Sequence, residues 1–171
     1  VGAADLDGKT ISVTATGNLT INATATAADH DFGGITKSGT GTITLNVANS
    51  VDLSGHNLGA VNYITVATGQ TVTLTDSQLS SLTTVSGVGN VTVKVSADSS
   101  TDFATKLVTT GTETINFTAN SIFSGTLGNS SSSIDSGVTL SANGSVIDGK
   151  TISGAGTLNI TGTGDGNLDL T

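Results

Sequence analysis

Seven times along this chain a glycine leads a short stretch in which apolar residues alternate with Thr, Ser or Asn. The stretches read Gly17-Asn-Leu-Thr-Ile-Asn, Gly41-Thr-Ile-Thr-Leu-Asn-Val, Gly69-Gln-Thr-Val-Thr-Leu-Thr and Gly89-Asn-Val-Thr-Val-Lys-Val. They continue as Gly111-Thr-Glu-Thr-Ile-Asn-Phe, Gly137-Val-Thr-Leu-Ser and Gly156-Thr-Leu-Asn-Ile-Thr. Side chains on an extended backbone point alternately to opposite faces, so a period of two predicts strands with one buried and one wet face. The leading glycine supplies the turn before each strand.

The seven glycines are spaced by 24, 28, 20, 22, 26 and 19 residues, a mean of about 23. A second phrase agrees with that period. Asp7-Gly-Lys-Thr-Ile-Ser12 returns 141 residues later as Asp148-Gly-Lys-Thr-Ile-Ser153. Several strands are also preceded by a second apolar segment ending in glycine, at Ile35 to Gly39, Leu82 to Gly87 and Ile152 to Gly154. Each turn is therefore expected to hold two or three short strands. The predicted fold is all-β: a parallel β-solenoid, or β-helix, of about six to seven irregular turns, with a β-sandwich as the alternative. The sandwich does not account for one phrase recurring at a common period, and the scatter is assigned to insertions at the corners. Helix is expected only over 76–82 and 100–107, capped by Asp76 and Asp102. Residues 130–133, four serines in a row, read as a loop between turns. No linker divides residues 1–171, which form a single repetitive segment.

Composition narrows the chemistry. Thr and Ser supply 53 of the 171 residues, and Val, Leu, Ile and Phe supply 44, enough for a thin core. Absence of proline suits continuous ladders that use every backbone N–H. A net charge of −8, with five Lys and no Arg, removes the electrostatic basis for nucleic-acid binding. No run approaches the roughly 18 apolar residues of a membrane helix. Without Cys there is neither a disulfide framework nor a thiolate metal site.

Candidate chemistry is sparse. Asp29-His30-Asp31 resembles an acid–base or metal cluster, but adjacent residues on an extended chain diverge. His56 falls at a corner, and the single Glu, Glu113, has no evident carboxylate partner. No Gly-x-Ser-x-Gly elbow surrounds any serine. The expected catalytic set is therefore empty, and the chain is not read as an enzyme. Most of the twelve Asp lie in turn-like contexts, where a carboxylate accepts from its own backbone. The same turns offer hard oxygen ligands suited to calcium. The local candidate is Gly162-Thr-Gly-Asp165-Gly-Asn167-Leu-Asp169-Leu170, with Asp165, Asn167 and Asp169 as the ligands. Ranks of Thr-x-Thr also raise ice binding, against which their variable spacing argues.

Strings such as Ser38-Gly-Thr-Gly-Thr-Ile-Thr-Leu-Asn46, Gly111-Thr-Glu-Thr-Ile-Asn-Phe-Thr118 and Leu74-Thr-Asp-Ser-Gln-Leu-Ser-Ser-Leu-Thr83 carry a resemblance. They resemble the Thr/Ser/Gly-rich β-repeat regions of bacterial surface-layer proteins and large secreted adhesins of the RTX type. That resemblance covers the whole chain and implies an extracellular, structural protein of the bacterial cell surface, frequently ordered by calcium. Its implied partners are copies of itself in a lattice or filament, and cell-surface polysaccharide. Few Lys, no Arg, no Cys and no Met fit exposure to proteases and oxidants. The alternative is an adhesin segment binding a glycan or receptor, and behind it a solenoid carbohydrate-active enzyme. Solenoid ends expose edges that must be capped or paired, so further protein or another subunit is expected beyond Thr171.

Overall fold

The computed structural model describes residues 11–14, 16–23 and 31–162. Sixteen short strands wind through it: β1 (Ile11–Val13), β2 (Leu19–Ala23), β3 (Ile35–Lys37), β4 (Ile43–Val47), β5 (Val51–Asp52), β6 (Tyr63–Val66), β7 (Thr71–Thr75) and β8 (Thr84–Gly87). They continue with β9 (Asn90–Val95), β10 (Leu107–Thr109), β11 (Glu113–Phe117), β12 (Ser121–Phe123), β13 (Ser131–Ile134), β14 (Thr139–Ala142), β15 (Ile152–Gly154) and β16 (Thr157–Ile160). Among the described residues three one- or two-turn helices sit at corners: α1 (Asp76–Ser81), α2 (Phe103–Lys106) and α3 (Gly144–Ile147). Every strand pair is parallel. The result is a parallel β-solenoid of about seven turns, as the repeated phrase predicts. Its faces are a five-stranded sheet A (β10-β8-β6-β4-β2), a six-stranded sheet C (β15-β13-β11-β9-β7-β5) and a third side. The third side begins as the pair β1-β3 and ends as a three-stranded sheet D, β12-β14-β16.

Stacking places like residues above one another. In sheet A the inward column runs Ile21, Leu45, Ile64, Val85, Leu107, and all five are buried. In sheet C, Leu74, Val93 and Ile115 form one column and Val95, Phe117 and Ile134 another. Each such side chain contributes about 1.5–3 kcal/mol on leaving water, so the thin core is a set of aliphatic columns running down the axis. The outward columns are polar. Thr73, Thr92, Thr114 and Ser131 stack on sheet C, and Asn22 and Asn46 on sheet A, where Asn46 Nδ2 donates to Asn22 Oδ1 at 3.1 Å.

The irregular glycine spacing has a different origin from the expected corner insertions. From strand to stacked strand, one turn takes between 17 residues (Thr114 to Ser131) and 24 (Ile11 to Ile35). All seven glycines do precede strands, but on different faces. Gly17 and Gly41 lead into sheet A, Gly69, Gly89 and Gly111 into sheet C, and Gly137 and Gly156 into sheet D. The two long spacings, 28 and 26, are the places where the phrase moves round by one face.

Corners are closed by glycine and by side chains that reach between turns. Gly87 and Gly154 share a Ser-Gly-x-Gly corner and have φ of +116° and +108°. A Cβ on either would lie 2.3 or 2.2 Å from a carbonyl oxygen of the turn beneath, Val66 or Ile134. Only glycine allows both that conformation and that approach. Elsewhere the side-chain carbonyl of an Asn or Gln takes a corner N–H from a neighbouring turn: Asn62 from Ile43 (3.0 Å), Gln70 from Ser50 (2.8 Å), Asn90 from Thr112 (2.9 Å).

Three local expectations change. Helix α1 is capped by Thr75, in a capping box with Gln78, and not by Asp76, whose Oδ1 is buried without a partner. Asp102 precedes α2 but makes no side-chain cap. The serine run is not a loop. Ser131–Ile134 is β13, a central strand of sheet C, with Ser130 and Ser132 buried.

Candidate functional site

The most distinct site is a step on one side of the solenoid. Sheet C continues through β13 and β15, but sheet A stops at β10. The reason is the 17-residue turn, which is the shortest. After β12 the chain runs through 126–130 directly into β13, and among the described residues no strand is laid on β10. A segment over 126–130 stacks on the start of α2, with Phe103 N donating to the Thr126 carbonyl at 2.8 Å. The space left above β10 is a cavity of about 580 Å³, lined among others by Ala104, Leu107, Val108, Thr109, Glu113 and Asn129.

An open strand edge presents unpaired N–H and C=O groups. Thr110 N donates to the Gly87 carbonyl at 3.0 Å, toward β8. By the alternation of a parallel ladder, Leu107 and Thr109 therefore turn their backbone groups toward the step. Both donors are taken. Leu107 N, at the C-cap of α2, is held by the carbonyl of Phe103, the helix's first residue, and Thr109 N by Glu113 Oε1 at 3.3 Å. Glu113 also accepts from Thr109 Oγ1 (3.0 Å) and, through Oε2, from Ser130 Oγ (3.2 Å). Glu113 stands in a column otherwise filled by Val51, Val72 and Val91. A carboxylate has replaced the aliphatic side chain where the neighbouring sheet ends, and it closes the second of that edge's two N–H donors, the one at Thr109.

Sequence reasoning passed over this role because Glu113 has no carboxylate partner. The signal was present in the phrases themselves: Gly89-Asn-Val91-Thr-Val and Gly111-Thr-Glu113-Thr-Ile align, with Glu against Val.

The expected calcium ligands Asp165, Asn167 and Asp169 lie outside the described residues, as do Asp29 and His30. Asp31 Oδ1 accepts from Gly33 N at 2.8 Å, a turn-forming bond. His56 is half-buried at a corner, where its N–H donates to Leu53 and its carbonyl accepts from Gln78 Nε2 at 2.6 Å. Around it lies a shallow depression of about 500 Å³ rich in hydroxyls, from Ser54, Thr75, Ser77 and Ser81. Among the described residues no group of three or more His, Cys, Asp or Glu is placed to hold a metal ion.

Charged side chains serve the turns they join. Lys94 Nζ donates to Asp52 Oδ2 (2.8 Å) and to Ser54 Oγ (3.0 Å). Partial burial pushes the Asp52 carboxyl up, but the bonds from Lys94 and Ser54 outweigh it, and the carboxyl sits below its ordinary value. Three other lysines cap backbone carbonyls: Lys37 on Gly41 (2.7 Å), Lys106 on Ser80 and Leu82, and Lys150 on Gly128 (2.6 Å). Phe32, Phe103, Phe117 and Phe123 are all fully buried.

Comparison with protein-family models, with curated proteins and with solved structures found no match to this chain. Among the described residues no helix is long and apolar enough to cross a membrane.

Proposed function

We propose that this chain is a structural, self-assembling protein of a bacterial cell surface, of the surface-layer or surface-filament type, and not an enzyme. One observation carries this reading: the fold is a continuous parallel ladder stapled from turn to turn by Asn, Gln, Ser and Lys side chains. That is a construction for stiffness and repetition. The four phenylalanines are spent in the core, which leaves Tyr63 as the aromatic side chain available on a face and favours a structural role over glycan capture. Tyr63 and Lys94 also interrupt the outward hydroxyl columns, which weighs against ice binding. Copies of the chain are its partners, in a lattice or filament outside the cell, with cell-surface polysaccharide as an anchor. Calcium would act through the side-chain oxygens of Asp165, Asn167 and Asp169.

Electron microscopy and light scattering of the purified chain, with millimolar calcium and with a chelator, test the reading. Ordered sheets or filaments are expected. Assembly only with calcium assigns the metal a structural part, and assembly in both conditions reduces those Asp residues to turn-formers. A monomer in both contradicts the self-assembling role and leaves the adhesin reading.

A further inference from the structure

The edge of β10 is closed to acceptors and open to donors. Its two outward N–H groups are occupied, by the Phe103 carbonyl and by Glu113. Its outward carbonyls, those of Leu107 and Thr109, receive no hydrogen bond from the described residues. Around them stand the Glu113 carboxylate and the side chains of Thr112, Asn129 and Ser131. A ligand for this cavity must bring N–H donors and positive charge.

The rest of the molecule shows which chemistry meets such groups. Among the described residues three lysines donate to backbone carbonyls at corners, at Gly41, at Ser80 and Leu82, and at Gly128, and the fourth, Lys94, donates to the Asp52 carboxylate. The step has the same acceptors, plus the chain's only Glu; Lys150 takes one lining carbonyl, that of Gly128, but among the described residues no lysine is paired with Glu113 or with the Leu107 and Thr109 carbonyls. The stacking columns specify the remainder. The inward column Ile21, Leu45, Ile64, Val85, Leu107 reaches the cavity at Leu107, which is 4 % exposed, and an aliphatic residue is the side chain that would continue it there. Val108, beside it and 51 % exposed, is left uncovered on the outer face.

We propose that the step is a binding site for an extended basic peptide, which adds to β10 as a parallel strand. Its backbone N–H groups meet the Leu107 and Thr109 carbonyls, an aliphatic residue extends the Leu107 column, and a lysine two residues later reaches Glu113. Strand addition of this kind takes affinity from main-chain bonds and specificity from alternate side chains. Here the specificity resides in one aliphatic and one ammonium position. The occupant is a flexible segment of a partner and not a second rigid copy, because β13 and β15 rise beside the cavity by two strand spacings, about 10 Å. The site is independent of the self-assembling role.

The test titrates acetyl-Thr-Val-Thr-Lys-Thr-amide into the full, isotope-labelled chain and follows backbone amide shifts. Saturable shifts confined to 104–113 and 128–131 are expected. Replacing the peptide lysine by Glu should abolish them. Glu113→Gln keeps an acceptor for Thr109 N and should weaken binding about tenfold or more, as expected for loss of a charge-assisted bond. Asp52→Asn removes an equal charge elsewhere and should leave affinity unchanged. Equal weakening by both variants, equal binding of the Glu peptide, or saturation by a neutral oligosaccharide with the lysine peptide inert would each overturn the proposal. So would the absence of saturable shifts at millimolar peptide. Scattering by the untreated chain reports on self-assembly separately, so failure of one reading is not mistaken for failure of the other.

Discussion

The turns before the step and the turns after it use the same strand geometry but differ in what fills them. From β4 to β11 every inward position of sheets A and C but a few at the corners is Val, Ile, Leu or Phe, and each turn rests on two full sheets. Beyond β11, Ser132 occupies the place held by Leu74, Val93 and Ile115, and sheet A is gone. The hydroxyls of Ser121 and Ser132 are buried there without a hydrogen-bond partner. In β15 and β16 no residue is fully buried, and Ile160 is 39 % exposed. A parallel ladder alone does not make a solenoid uniformly stable. Because each turn contacts only its neighbours, stability is local and follows the columns.

Truncating an aromatic at the junction should have the largest effect. Phe117 meets Phe123 edge-on at 5.8 Å, and Phe123 stacks on Phe103 at 5.7 Å, which ties the two regions together. Phe117→Ala should cost about 3–5 kcal/mol in chemical denaturation. Leu158→Ala, at the one half-buried residue of β16, should cost less than about 2 kcal/mol. Equal costs would dissolve the distinction between the regions. Next comes the shared corner. Gly87→Ala forces a Cβ against the Val66 carbonyl at positive φ and should cost about 2–3 kcal/mol. Gly69→Ala, at φ +72° but with open space around it, should cost about 1 kcal/mol. A thermal melt of both variants separates approach from conformation.

These contrasts also mark what was legible before the structure. Alternation after Gly17, Gly41, Gly69, Gly89, Gly111, Gly137 and Gly156 places seven real strands, because a half-buried strand leaves that pattern wherever it lies. The face each strand joins is not legible, since the same glycine serves every corner. β13 left no pattern at all. Its Ser131-Ser-Ser-Ile is strand because β11 and β15 flank it and Ser133 Oγ donates to Asn116 Oδ1 at 2.8 Å, partners supplied by other turns. Glu113 read as an isolated carboxylate because its partners, Thr109 and Ser130, meet it only in the corner the fold builds. Asp165, Asn167 and Asp169 lie outside the described residues and remain proposed ligands.

The smaller effects sharpen the comparison further. Ser132→Ala removes an unsatisfied buried hydroxyl and should stabilise by about 0.5–1 kcal/mol, read from the denaturation midpoint at unchanged slope. A loss of stability would mean that this hydroxyl has a partner after all. Smallest is the ion pair on the earlier turns. The Asp52 carboxyl is lowered in the folded chain, so its contribution is complete above the unfolded value near 3.9 and is lost as pH falls through the folded one. Because both side chains are substantially exposed, 37 % for Lys94 and 53 % for Asp52, the loss should be about 0.5 kcal/mol or less. Comparing Asp52→Asn with the parent chain at pH 7 and below pH 3 checks it, and the difference should vanish in acid.

Native-state amide hydrogen exchange, resolved along the whole chain, tests the central claim most directly. A block of uniformly slow exchange is expected from β4 through β11, then a drop at β13 and progressively faster exchange through β15 and β16. Protection that stays level through Ile160, or that is greater beyond the step than before it, would contradict the claim that the aliphatic columns and not the ladder itself set the stability of this solenoid.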